Sequence, residues 1–195
     1  MWTEIGEGLQ VLRRVPSVRG AMIHLVLLYS LLAALYVLAL QLAALIENLG
    51  PSGFGALLAM SGLGMAIGAV AMAQQGHRFS RRRLTAAGLG TITWTLVLLS
   101  QLRGSLAFTL SLCGILGIGA ALVAIPAQTT IQEETPETER GRVFGLQNNL
   151  INIALSLPLV LAGTLVSSIG LQPVLWLLAG LALVAALIER PWQRC

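Results

Sequence analysis

IPAQTTIQEETPETERGRVFGLQNNLINIALSLPLVLAGTLVSS, Ile125–Ser168, decides how the rest of the chain is read. Uncharged apolar sequence leads into a segment with four Glu and two Arg, then returns to an apolar run that carries three Asn. A soluble protein rarely sets so polar a segment between runs so apolar on either side. A chain that crosses a bilayer does so at each water-facing turn. The stretch reads as a helical hairpin around a charged loop, with a polar stripe on its second helix turned away from lipid.

Composition extends that reading to the whole chain. Of 195 residues, 56% are hydrophobic and only 10% are charged, where soluble domains carry about 25% charge. So few charges do not cover a water-facing surface, and a mean hydropathy of +0.82 agrees that lipid surrounds most of the chain. The formal charge of +4 raises nucleic acid as a partner. An aromatic share of 5% leaves no platform for stacking bases, and the arginines are spread among loops rather than gathered in one stripe, so no nucleic acid is expected. Cys113 and Cys195 have neither a disulfide framework nor metal-ligand spacing, and Cys113 reads as a small packing residue. No HExxH, Cys/His cluster or Ser with a nearby base occurs. No metal, no cofactor and no catalytic activity are expected.

Six apolar runs are long enough to cross a hydrocarbon core of about 30 Å. They fall at about 21–45, 53–74, 84–102, 105–125, 143–168 and 174–188, which predicts an all-α membrane protein with its transmembrane domain over 21–189. Residues 1–20 place Ile5, Leu9 and Leu12 at helical spacing and read as a lateral helix or linker ending near Pro16. No cleavable signal is visible there, so insertion is expected to begin at the first span. Residues 190–195 form a polar tail. Gly64 and Gly68 make a GxxxG pair suited to close helix packing. Pro126 marks the end of the fourth span or a bend in it, the charged loop spans 127–142, and Pro158 predicts a kink in the fifth span.

An even number of spans puts both termini on one side. Eleven of the twelve arginines lie on that side, in the lead-in, the second-to-third and fourth-to-fifth connections and the tail; Arg103 alone lies opposite. The positive-inside rule makes the arginine-rich side cytoplasmic, in a cytoplasmic membrane.

The functional candidates are the polar residues inside the spans. No Asp, Glu or Arg lies near mid-membrane, so no intramembrane carboxylate is available as a proton relay. Asn149, Asn152 and Ser156 follow i, i+3, i+7 and form one stripe; Asn148 and Asn152 are one turn apart. An amide facing lipid without a partner is costly, so these residues face either neighbouring helices or a wet cavity that takes a small-molecule substrate. Gln147, nearest the loop, reads as interfacial. Tyr29 and Tyr36, seven apart on the first span, are packing residues or ligand contacts. Arg81, Arg82 and Arg83 meet anionic headgroups or pair with acidic residues between Glu133 and Glu139 to latch an inner mouth.

The two arginine-bearing loops carry a resemblance. GHRFSRRRL at 76–84 is similar to the Gly-x-x-x-Asp-Arg-x-Gly-Arg-Arg loop of the major facilitator superfamily, with Arg78, Arg81, Arg82 and Arg83 in the matching places. Ala73, His77 and Ser80 stand where the family pattern has Gly, Asp and Gly. The fourth-to-fifth connection resembles the same loop of the macrolide and siderophore exporter branch, through Pro126, Gln132, Glu133, Pro136, Arg140, Gly141, Arg142, Phe144 and Gly145. EGLQVLRRVPSVRG at 7–20 resembles the end of that branch's central linker. The resemblance implies two inverted three-helix repeats and the C-terminal half of a twelve-span exporter. Its first and fourth spans would line the cavity, the second and fifth would contribute, and the third and sixth would be peripheral. Arg78, Arg81, Arg82, Arg83, Glu133, Arg140 and Arg142 would belong to its gating loops. The implied partner is an N-terminal six-helix half. The alternatives are a standalone six-span unit, either a scaffold or a small transporter, that dimerises through its Gly-rich faces, and an inactive remnant.

Overall fold

The computed structural model describes residues 10–45, 52–101 and 106–188, and among them there is no β-strand. Six long helices follow one another: α1 Pro16–Leu45, α2 Ser52–Gln75, α3 Arg81–Gln101, α4 Leu106–Glu134, α5 Arg140–Ile169 and α6 Leu171–Ile188. Each is long and apolar enough to cross a membrane. The cause is plain in the sequence. Where water cannot serve the backbone, every N–H and C=O has to be bonded within the segment, and an uninterrupted helix does that.

Residues 10–14 are helical and lead into α1, whose first residue is Pro16. The short helix stops just before Pro16, and Pro16 begins the next one. A proline is tolerated at the first helical position because its missing N–H would have no partner inside the helix. Residues 1–9 of the expected lead-in, and the tail at 190–195, lie outside the described residues.

The fourth span is longer than its hydropathy suggests. Pro126 does not end it; α4 runs on to Glu134. Proline removes one N–H and so takes away the i+4 donor of the Leu122 carbonyl, a local cost; the hydroxyls of Thr129 and Thr130 donate to the neighbouring carbonyls of Ile125 and Pro126 at 2.9 and 2.8 Å. Beyond the proline, Ala127 and Ile131 are buried against Val18 and Met22 of α1 and Val143 of α5, so packing holds the added turns. Helix α5 likewise starts at Arg140 rather than at 143. The connection therefore shrinks from an expected 127–142 to residues 135–139, which include a 3-10 turn at Glu137–Glu139. Pro158 also lies inside a continuous helix.

Helices α1 and α4 form the centre. α2 and α3 pack along α4, α5 packs along α1, and α6 packs on α3. The α2–α4 and α1–α5 contacts exchange when the first three helices are swapped for the last three, as in an inverted repeat, whereas the α3–α4 contact has only a slight α6–α1 counterpart. One apolar core threads α1, α3, α4, α5 and α6 through residues such as Leu38, Leu96, Val123 and Leu175. A second core lies toward the arginine-rich end, and a third joins Ala43, Leu57 and Cys113. At the opposite end, α5 closes into α6 through Gly170, whose φ of +88° is available to glycine and whose N–H donates to Val166 O at 3.0 Å.

The partner of the GxxxG pair is α4. A Cβ on Gly68 would come within 2.8 Å of Ala121 Cβ, and one on Gly64 would overlap the Gly114 carbonyl. Gly117 faces the Ser61 carbonyl in the same way, while the Ser61 hydroxyl donates to Cys113 O at 3.2 Å. Gly88 of α3 meets Gly119 of α4 in a similar close approach. These glycines are occupied by contacts inside the chain, whereas Gly62 of α2 meets nothing within 4 Å.

Candidate functional site

Asn149, Asn152 and Ser156 lie on the side of α5 opposite Val143, Gln147 and Ala154, which enter the core. All three, and Asn148, are exposed on the six-helix body. Ser156 satisfies its hydroxyl by donating to Asn152 O at 2.8 Å. Among the described residues the amides of Asn148, Asn149 and Asn152 meet no hydrogen-bonding partner. At about 1.5 Å rise per residue, Asn149 and Ser156 lie roughly 13 and 24 Å from the start of α5. That depth is inside a bilayer core. Apolar neighbours flank the stripe: Ile153 is 60% exposed and Val160 is 65% exposed.

The two tyrosines serve different neighbours. Tyr29 is half-buried against the core at the arginine-rich end. Tyr36 is exposed and packs edge to face on Phe54 of α2, with ring centres 5.1 Å apart. Helices α2 and α5 bury the smallest share of their apolar length, so their outer faces are the least satisfied by the chain itself.

The arginine-rich end carries a built ionic cluster. Arg81, at the start of α3, forms an ion pair with Glu133, lies 3.7 Å from Glu134 and donates to Thr130 Oγ1 at 3.2 Å. The Ser17 hydroxyl donates to Glu134 Oε2, which adds the start of α1. Three helix ends meet at the end of α4 because α4 outlasts Pro126. Arg140 takes a different partner, Glu137, at 3.6 Å one turn away. Arg78 and Arg83 are exposed, and Arg82 and Arg142 are engaged in interactions of their own. Because the Arg81 cluster is half-exposed, its effect on stability is small. Arg81→Glu is expected to lower the thermal midpoint of the detergent-solubilised chain by an amount equal to about 1 kcal/mol or less, and the swap R81E/E133R to restore it. A midpoint unmoved by the single reversal would show that the pair is not formed.

Sequence reasoning missed the Gln128–Gln147 bridge. Gln147 is buried between helices, 7% exposed, and its Nε2 donates to Gln128 Oε1 of α4 at 2.8 Å. Its own Oε1 is buried with no partner among the described residues, as are Thr135 Oγ1 and Arg140 Nε nearby in sequence. The available signal was symmetry, since the two glutamines stand at similar distances on either side of the turn at 135–139. Reading 127–142 as loop hid it.

A groove of about 400 Å³ lies elsewhere, between α3 and α4, and includes Thr91, Trp94, Thr95 and Ile115. It contains none of the residues singled out from the sequence. Among the described residues no His, Cys, Asp or Glu cluster could hold a metal.

Six packed apolar spans, with charge confined to their ends, define a multi-pass integral membrane protein. The profile of the Major Facilitator Superfamily matches residues 22–192, and the chain belongs to that superfamily of membrane transporters. Its six helices correspond to half of the superfamily fold. No curated protein shows significant sequence similarity to the chain.

Proposed function

We propose that the chain is the C-terminal six-helix half of a secondary transporter that exports a small molecule from the cytoplasm by alternating access. The arginine-rich end faces the cytoplasm of a cytoplasmic-membrane protein. The reading rests on one observation: the α5 stripe points away from the chain's own core with its amides unpartnered. Lipid would leave those groups unsatisfied, so they face a wet cavity closed on its other side by a second six-helix unit. Transporters built from two such units bind substrate between them and rock one against the other. Asn148, Asn149, Asn152, Ser156 and the exposed Tyr36 supply contacts to substrate, and the Arg81–Glu133–Glu134 cluster holds three helix ends together as that half rocks. The complementary unit is an N-terminal half. A second copy of this chain, the alternative partner, would have to use the same outer faces of α2 and α5.

Cysteine labelling tests the cavity. In a background with Cys113 and Cys195 replaced by Ala, N152C is expected to react with a membrane-impermeant thiosulfonate reagent in inside-out vesicles or intact cells. L183C, on the outer side of α6, is expected to stay unlabelled. Equal resistance of both positions would reject a water-filled cavity at α5.

A further inference from the structure

We infer that the ligand group bound against α5 is uncharged and both donates and accepts hydrogen bonds, as a carboxamide or hydroxyl does, on an otherwise apolar molecule. The inference rests on the cavity reading above and names its ligand chemistry. Each Asn side chain offers an N–H₂ donor and a carbonyl acceptor, and neither ionises. Three such amides with no partner among the described residues can therefore meet a ligand group that needs both. An ion would meet a different surface. No charged residue occurs from Val143 to Ile188, through the rest of α5 and all of α6, and Arg142, seven residues before Asn149, is engaged in an interaction of its own about 10 Å along the helix. The exposed residues of α1, which packs along α5, are Ile23, Tyr36, Leu40 and Gln41 in the part inside the membrane. None of them is a counter-ion. A charged group brought out of water against this face would lose its hydration and gain no opposite charge from α5 or α1. Ile153 and Val160, beside and beyond the amides along α5, offer instead a place for hydrocarbon.

Three probes test this on the purified full chain in detergent. They share a nitrobenzoxadiazole fluorophore and an octyl chain, and end in a carboxamide, a carboxylate or a trimethylammonium group. The carboxamide probe is expected to bind about tenfold more tightly than either charged probe, since desolvating an ion is not compensated here. N149L/N152L is expected to weaken it about tenfold through the lost hydrogen bonds, while N149Q/N152Q, which keeps the amides, retains it. N152D is expected to turn the preference toward trimethylammonium. A charged probe that binds the unaltered chain as well or better, no binding by any probe, or carboxamide affinity unchanged in N149L/N152L would each overturn the inference. The labelling of N152C separates the two readings. A labelled site that prefers a charged probe overturns the ligand class alone, and an unlabelled one overturns the cavity.

Discussion

Gly117→Val and Gly64→Val are each expected to abolish recovery of a single folded species from detergent. At both positions the obstacle is backbone, not a side chain that can swing aside: Ser61 carbonyl for Gly117 and Gly114 carbonyl for Gly64. Helix α4 touches α2 along its length, so making room for one carbon means separating two helices that share the third core at Leu57 and Cys113. Overpacking of ordinary cores costs about 1–3 kcal/mol. A clash against backbone belongs at or above the top of that range, a large part of a total stability of about 5–15 kcal/mol. Gly62 and Gly90 are the controls, because a Cβ there meets nothing within 4 Å. Ala at either is expected to gain about 0.5–1 kcal/mol from helix propensity. Size-exclusion profiles and thermal midpoints of the four variants check the ordering. Folded G117V with an unchanged midpoint would show that α2 and α4 are not packed this closely.

The contrast among these glycines marks the boundary of what could be read from the chain. The six helices follow from apolar runs bounded by charge, a local property, and each was legible as such. GxxxG spacing identifies a face that wants a close neighbour; it does not name the neighbour. That α2 meets α4 is a long-range fact. The fourth span was misjudged for a related reason. Pro126 is a local stop signal, and it was outweighed by the burial of Ala127 and Ile131, which depends on α1 and α5. The same nine-residue extension carries Thr130, Glu133 and Glu134 out to Arg81 and Ser17. The Asn stripe could be assigned to a face that lipid does not cover, but the choice between interhelical bonding and outward exposure needed the packing of α5 on α1. Gln147, one residue before that stripe, went inward because its position is turned by about 100° from Asn148.

That turn makes the two ends of one hydrogen bond respond in opposite ways to the same substitution. Gln128→Leu is expected to destabilise the chain by about 2 kcal/mol, because it leaves both ends of the buried Gln147 amide without a partner. Gln147→Leu is expected to be neutral or to stabilise by about 1 kcal/mol. It removes the buried Oε1 that has no partner among the described residues, and Gln128, only half-buried, can turn its amide toward water. The hydrogen bond lost in both cases is worth about 0.6 kcal/mol between membrane helices, too little to reverse either sign. The double variant Q128L/Q147L should therefore resemble Q147L and lie well above Q128L. A thermal or denaturant series on the three proteins gives the cycle directly. Equal losses from the two single substitutions would mean that Gln147 Oε1 has a partner after all, such as an ordered water held between α4 and α5. The bridge would then be a fully satisfied polar contact inside the membrane domain rather than a strained one.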